Sequence, residues 1–213
     1  EQLFETARAN PMLTQDQLSR VLFPLGDLGG KDITRQMALD MGLPVANKPD
    51  SQEICFVSEA GGYREFLRKT RPDLFVPGTI VNEDGTELAE HAGVIDYTVG
   101  QRRGLGVSQG SPLYVLELQP KEQRVVVGPE SSLLQATVEL EQMTWSSVDD
   151  SPEPIPVQAK IRYNMKPEPA LLIGGANPRL EFRRPVRAVT PGQTAVAYRR
   201  NTVVAGGVIR ARS

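Results

Sequence analysis

The strongest constraint on the fold is a series of short, β-branched segments separated by glycine and proline turns, which begins after Phe75. From Ala136 onward every candidate element is a strand, and no helical periodicity interrupts the series. Closely spaced strands without intervening helices are typical of a small antiparallel barrel. We therefore predict a C-terminal antiparallel β-barrel built from the segments Thr137–Met143, Pro156–Tyr163, Ala170–Ile173, Arg179–Phe182, Thr194–Tyr198 and Thr202–Ile209.

The middle of the chain carries two hairpin signals. Thr79–Asn82 and Thr86–Ala89 flank a Glu-Asp-Gly turn, and Asp-Gly between β-branched runs is a strong hairpin indicator. Leu113–Gln119 and Arg124–Gly128 form the second pair. This part of the chain predicts a small central β domain.

Helices are expected only before Phe75. Thr14 and Gln17 form a capping box at the start of a short helix, and further helices are predicted over 32–41 and 62–69. These helices have few apolar residues to bury among themselves, so they resemble the end of a larger domain. We expect exposed apolar surface and some self-association at the following positions: Leu18, Val21, Met37 and Met41.

Composition excludes several classes of protein. No apolar run approaches the roughly 20 residues that cross a bilayer, and the chain does not begin with a basic-then-apolar leader. A single cysteine excludes an intrachain disulfide and a multi-cysteine zinc site. No histidine, cysteine and carboxylate cluster has metal-ligand spacing, so we expect no metal. A cytoplasmic location with no membrane partner is the natural expectation, since a free thiol persists there.

Charge is divided unevenly along the chain. The formal net charge is −2, but residues 1–132 carry 13 basic and 19 acidic residues, a balance of −6. Residues 157–213 carry 11 basic and 2 acidic residues, a balance of +9. A basic segment on an acidic chain indicates a polyanionic partner, although a well-solvated surface or a purely structural barrel is the alternative.

Cys55 lies in the segment Lys48–Val57, after a polar run that is typical of a loop. A free cysteine usually packs in the interior, whereas a thiol at a loop edge is open to reaction. Asp50 and Glu53 would raise the thiol pKa and Lys48 would lower it, so the sequence leaves the net shift open. The lone histidine, His91, is expected at the surface and not as a catalytic base.

Three further segments have residues suited to RNA. Arg102 and Arg103 lie in a glycine-flanked turn, where they either bind phosphate or only solubilise a loop. Arg162 and Tyr163 are predicted to close a strand, where they either hold a phosphate and stack a base or, for the tyrosine, pack in the core. Gln193 follows Thr190-Pro-Gly in a predicted type II-like turn that would expose its amide.

A nucleotide site is not expected in this chain. The glycine pairs begin at Gly29, Gly61, Gly174 and Gly206, and none continues into a Walker loop or a G-x-G-x-x-G that opens a helix. None of these glycine pairs lies in a Ser-Gly-Gly-x-Asp-Ser sequence, which is the pattern of a pyrophosphate-binding loop, either.

Ordered segments of the chain resemble bacterial tRNA-specific 2-thiouridylases over nearly all of residues 14–210. The most specific matches are the cysteine segment Lys48–Val57 and the Gly-Gln-Arg-Arg-Gly segment that begins at Gly100. Shorter matches include Leu22-Phe-Pro-Leu-Gly26, Ile161-Arg-Tyr163 and Ala188-Val-Thr-Pro-Gly-Gln193.

The resemblance implies an enzyme that makes 2-thiouridine at the wobble position (34) of tRNA. ATP adenylates the uridine, and Cys55 carries sulfur as a persulfide that it receives from a sulfur-relay donor protein. The resemblance also gives tRNA-binding roles to Arg162, Tyr163 and Gln193. It implies that residues 1–58 are a helical remnant of an ATP-pyrophosphatase domain, 59–131 a central tRNA-binding domain and 132–213 a tRNA-binding barrel.

Departures from the family pattern are equally informative. The pyrophosphate loop, the second catalytic cysteine and a Lys-Asp-Gln-Ser-Tyr-Phe-Leu-like segment are not found in this sequence. The expected fold is therefore mainly β with a short helical N-terminal segment, and the ATP site belongs to a missing ATPase domain. The chain alone is expected to be inactive. The alternative is a non-catalytic RNA-binding β-barrel module in which the thiol is vestigial.

Overall fold

The computed structural model describes residues 12–22, 24–25, 28–49, 57, 61–107 and 110–211. The described residues form two compact units. The first, which we call the barrel unit, contains the described residues within Glu1–Pro49, Ala136–Pro185 and Thr190–Ser213. The second, which we call the central unit, contains those within Asp50–Gln135 and Val186–Val189.

Three α-helices lie in the described N-terminal third of the chain, as predicted: α1 (Gln15–Leu18), α2 (Lys31–Asp40) and α3 (Tyr63–Thr70). The capping box at α1 is confirmed, because the Gln17 backbone N–H donates to the Thr14 hydroxyl and the Thr14 N–H donates to Gln17 Oε1. Among the described residues, no helix is long and apolar enough to span a membrane.

The central unit is built on a four-stranded sheet. Its strands are β1 (Gly78–Val81), β2 (Glu87–His91), β3 (Tyr114–Gln119) and β4 (Arg124–Gly128), in the order β2-β1-β4-β3. Both predicted hairpins are confirmed as antiparallel pairs, while β1 and β4 run parallel. Short 3₁₀ helices lie before β1 at Pro72–Leu74, between β2 and β3 at Val94–Asp96, and after β4 at Glu130–Leu133.

The barrel unit contains a closed six-stranded barrel, as predicted. Around the barrel the order is β10-β5-β8-β7-β6-β9. The strands are β5 (Leu134–Trp145), β6 (Ile155–Lys160), β7 (Glu168–Ile173), β8 (Arg179–Arg187), β9 (Thr194–Arg199) and β10 (Thr202–Ile209).

Alternation along the strands separates the barrel interior from its outer face. Val157 and Ala159 of β6 are buried, while Gln158 between them is exposed. Ala159 pairs with Ala197 of β9, so two small side chains meet inside the barrel. This alternation leaves the intervening residues of the strands to form the outer surface on which the grooves described below lie.

The paired glycines of β10 have a packing role. The register between β10 and β5 shifts between Gly206 and Val208, which marks a bulge. A Cβ on Gly207 would fall inside van der Waals contact with the Met143 sulfur. Glycine therefore leaves room for the Met143 side chain between the two strands, whereas the nearest backbone atom of β5, the Glu141 carbonyl oxygen, is 3.4 Å from the position of an added Cβ.

Four local predictions differ from the structure. β6 ends at Lys160, so Arg162 and Tyr163 lie in the following turn and not in the strand. His91 is 6% exposed because it packs beside Tyr97, contrary to the surface position predicted for it. Leu18 is buried and Val21 half-buried, although the expected exposure is confirmed at two other positions, Met37 and Met41.

Candidate functional site

An open cleft of about 1270 Å³ lies on the barrel unit, between the turn after β6 and the turn before β9. Arg162, Tyr163 and Gln193 all line this cleft, which we call the tyrosine cleft. The structure thus brings Gln193 together with Arg162 and Tyr163, which lie 30 or more positions earlier in the sequence.

The end of β6 determines how Arg162 and Tyr163 are presented. Ile161 is completely buried and anchors the turn in the barrel. The Met165 N–H donates to the Arg162 carbonyl over 3.2 Å, which closes the turn. Arg162 is half-buried, and Tyr163 is 92% exposed, so its ring is available for an incoming ligand.

A cation lies next to that ring. Lys160 Nζ is 5.7 Å from the centroid of the Tyr163 ring, within the range of a cation–π contact. Lys160 also lines the tyrosine cleft. A positive charge beside an open aromatic face suits a ligand with a planar base next to a phosphate.

Backbone hydrogen bonds fix the turn that carries Gln193. Gly192 has a φ of 81°, which a type II turn requires at this position, so the predicted turn is confirmed. The Gly192 N–H donates to the Ile209 carbonyl over 2.9 Å, and the Ile209 N–H donates to the Gln193 carbonyl over 2.8 Å. With its backbone held, Gln193 exposes its side-chain amide on the cleft.

Sequence reasoning missed two cleft residues, Gln158 and Tyr198. Gln158 of β6 pairs with Tyr198 of β9, and both side chains line the cleft together with Arg200. The period-two alternation places Gln158 on the outer face of the strand, but only the pairing register shows that Tyr198 is its neighbour.

Arg102 and Arg103 belong to the central unit and are exposed. Their loop is tied to β3, because the Gly100 N–H donates to the Val115 carbonyl over 2.7 Å. Gln101 stabilises the loop further, since its Nε2 donates to the Arg103 carbonyl over 2.9 Å. The loop therefore presents two arginines from a defined backbone.

His91 of β2 is a buried titratable group of the central unit. Burial lowers the pKa of His91, although the Gln123 backbone and the Asp96 carboxylate act in the opposite direction. Burial raises the pKa of the neighbouring Tyr97, and the negative charge of Asp96 adds to that increase. Asp96 itself forms ion pairs with Arg64 and Arg68 of α3.

Cys55 lies outside the described residues, so its predicted role stays a prediction. Within the described ranges, no group of three or more histidine, cysteine or carboxylate side chains is arranged to hold a metal ion.

Three family models match successive parts of the chain. Residues 11–59 match the tRNA methyl transferase HUP domain, and residues 64–129 match the tRNA methyl transferase PRC-barrel domain. Residues 135–209 match the aminomethyltransferase beta-barrel domain. The third match covers all residues of the tyrosine cleft that follow β5.

Curated relatives match over nearly the whole chain. The tRNA-specific 2-thiouridylase MnmA of Halothermothrix orenii is 44% identical over 93% of this chain and 55% of its own length. The enzyme of the same name from Methylorubrum extorquens is 45% identical over 92% of this chain and 53% of its own length.

The chain belongs to the tRNA-specific 2-thiouridylase family. It spans about half the length of the curated 2-thiouridylases that it matches. Within this family member, the residues lining the tyrosine cleft other than Met12 lie in the part matched by the beta-barrel model, and Cys55 lies in the part matched by the HUP model.

Proposed function

We propose that this chain is the RNA-binding and sulfur-accepting part of a tRNA uridine 2-sulfurtransferase. This enzyme makes 2-thiouridine at the wobble position (34) of tRNA. The observation that supports this most is the tyrosine cleft, which combines Arg162, Tyr163 and Gln193 on one surface of a 2-thiouridylase-family barrel. Arginine binds a backbone phosphate, the exposed tyrosine stacks on a base, and the amide donates to or accepts from a base edge.

Cys55 supplies the sulfur in this proposal. A carbonyl oxygen is a poor leaving group, and ATP provides the adenylation that activates the 2-oxygen of the uridine. The outer sulfur of the Cys55 persulfide then forms a bond to C2, and the oxygen leaves with AMP. A second cysteine, in the ATPase domain, breaks the sulfur–sulfur bond by forming a disulfide with Cys55, and the new sulfur stays on the base.

The proposal assigns no residue of this chain to ATP. The described residues before α2 and at its start do not fit the pyrophosphate loop Ser-Gly-Gly-x-Asp-Ser, because Leu28 and Ile33 stand where the motif has its two serines. The proposed partners are tRNA, a protein that delivers persulfide sulfur and the ATPase domain. The proposed location is the cytoplasm.

A second candidate is a non-catalytic RNA-binding module with a vestigial thiol. Its specific support is that the residues lining the tyrosine cleft all lie within the barrel unit, so RNA binding by this cleft does not depend on Cys55.

The deciding experiment is a thiolation assay on unmodified tRNA with ATP and a sulfur donor. We expect 2-thiouridine only when a separately supplied ATPase domain of the family is added to this chain. Product from the chain alone would contradict the assignment of ATP to another domain. If no product forms with either arrangement while tRNA still binds, the non-catalytic module is favoured.

A further inference from the structure

A second groove, of about 670 Å³, crosses the outer face of β6, β7, β8 and β9. Its floor is apolar and is formed by Pro156, Pro169 and the partly exposed Leu171. The basic residues Arg183 and Arg199 also line it. We call this surface the arginine groove.

The strand register explains why these residues form one surface. Gln158 of β6 pairs with Pro169 of β7 on one side and with Tyr198 of β9 on the other. Ala170 pairs with Phe182, so Pro169 has Arg183 of β8 as its next neighbour. A single outward-facing row therefore crosses four strands in the order Arg183, Pro169, Gln158 and Tyr198.

The arginines of this groove differ from two other arginines of the barrel unit in whether they form ion pairs. Arg179 bonds to Glu181 over 2.8 Å, and Arg210 lies 3.8 Å from Glu141. Among the residues that the structure describes, by contrast, no carboxylate forms an ion pair with any of three groove arginines: Arg183, Arg199 and Arg200.

The single acidic residue among those lining the groove is Glu181, and Arg179 already neutralises it. The groove thus has a net positive charge that the described part of the chain does not compensate. Uncompensated arginines beside an apolar floor are suited to a polyanion that also has apolar faces.

The two grooves are continuous, because Gln158, Tyr198 and Arg200 line both of them. A strand of RNA held at Tyr163 can therefore continue past Tyr198 onto the arginine groove without leaving the barrel surface. This continuity favours RNA over an acidic peptide as the ligand.

We propose that the arginine groove binds the sugar–phosphate backbone of the same tRNA that occupies the tyrosine cleft. The inference rests on the proposed RNA-binding function and extends it to a second site. Arg183, Arg199 and Arg200 hold phosphates, and the proline and leucine floor packs against ribose. The contacts are independent of base identity, because phosphate and sugar carry no sequence information directly.

The first test compares two doubly substituted forms of the full chain. Arg183→Gln/Arg199→Gln removes two groove charges, and Arg124→Gln/Arg210→Gln removes the same charge from positions outside both grooves. Affinity for unmodified tRNA is measured from 50 to 200 mM salt. Each lost phosphate contact lowers the slope of log K against log salt by about 0.7 to 0.9 in magnitude.

We expect the groove variant to lose about 1.4 to 1.8 units of slope and to bind more weakly at low salt, since two contacts are removed. The control variant should keep the slope of the unsubstituted chain. Equal slopes for all three proteins would overturn the inference. Weaker binding of the groove variant to an acidic peptide, with tRNA binding unchanged, would overturn it in favour of a protein ligand.

A second pair of variants tests the floor without removing an arginine. Leu171→Glu adds a negative charge to the groove, and Leu134→Glu adds it at a similarly exposed leucine outside both grooves. We expect only Leu171→Glu to weaken tRNA binding, by about tenfold. Equal binding by the two variants would contradict a groove contact.

Failure of this inference can be distinguished from failure of the proposed function. If Tyr163→Ala weakens tRNA binding and the groove variants do not, the tyrosine cleft binds RNA and the arginine groove does not. If the unsubstituted chain shows no salt-dependent tRNA binding, both proposals are wrong.

Discussion

Gln158 of β6 lies directly opposite Tyr198 of β9, and both residues line the tyrosine cleft as well as the arginine groove. The pair therefore marks the point where the two surfaces meet. Since cross-strand neighbours on one face are held in fixed register, the relative position of the two grooves is set by the barrel itself.

Tyr163→Ala tests the tyrosine cleft. We expect tRNA affinity to fall by roughly 5- to 150-fold, because stacking of a base on an aromatic side chain is worth about 1–3 kcal/mol. Tyr163 is 92% exposed, so the free energy of unfolding should change by less than about 0.5 kcal/mol. Binding is measured by titration of fluorescently labelled tRNA.

A matched control for this change is Tyr63→Ala, which removes a tyrosine that is 63% exposed on α3. It should leave tRNA affinity unchanged within about twofold. An equal loss in the two variants would show that the effect is not specific to the cleft.

Cys55→Ser separates sulfur transfer from RNA binding. Cys55 is the only cysteine, so the substituted chain should not gain the mass of one sulfur atom after incubation with a persulfide donor. Affinity for tRNA should stay unchanged, since the residues of the tyrosine cleft do not include Cys55. Mass spectrometry of the intact protein measures the loading, and persistence of the added sulfur in Cys55→Ser would contradict the proposed carrier.

The stability of the central unit should depend on pH through His91. Burial lowers the pKa of His91 in the folded state, so the unfolded state binds more protons near and below its own pKa of about 6.5. The free energy of unfolding is therefore expected to be highest above pH 6.5, about the pKa of the unfolded-state histidine, and to decrease as the pH falls through that value. For one histidine the slope cannot exceed about 1.4 kcal/mol per pH unit.

Urea unfolding between pH 5.5 and 7.5 measures this effect. His91 is the only histidine, and His91→Phe keeps an aromatic ring beside Tyr97 while removing the titration. The variant should lose most of the pH dependence in this range. If its slope equals that of the unsubstituted chain, another group is responsible.

Gly78→Ala tests the close approach at the start of β1. An added Cβ would overlap the backbone carbonyl oxygen of Gln123, which also accepts a hydrogen bond from the Thr79 N–H over 3.1 Å. Overpacking against backbone typically costs about 1–3 kcal/mol, so we expect a loss of at least about 2 kcal/mol in denaturant unfolding. Gly110→Ala, where a Cβ meets nothing within 4 Å, should cost less than about 0.5 kcal/mol.

Much of the secondary structure could be predicted from sequence because its signals are local. The capping box at Thr14, the Asp84-Gly85 hairpin turn and the Pro-Gly turn before Gln193 each depend on contacts within a few residues. The end of β6 was less predictable. The alternating pattern continues through Ile161, which is buried, although the strand pairing ends at Lys160.

Burial of His91 could not be predicted from its neighbours in sequence. A histidine between a glutamate and an alanine indicates an exposed position, and only the packing of β2 beside Tyr97 covers its ring. The apolar helix residues show the same limitation, since Leu18 is buried whereas Met41 of the same predicted set is exposed.

The amino-acid sequence was sufficient to predict the family, the all-strand character of the C-terminal part and the candidate residues Arg162, Tyr163 and Gln193. These are encoded in turns, alternation and short motifs, which act over a few residues. The folded barrel was needed to show that those three residues share one cleft, and that this cleft continues into a groove lined by Arg183 and Arg199. Local patterns do not contain this information, because closure and register of the barrel strands are set by packing between residues far apart in the chain.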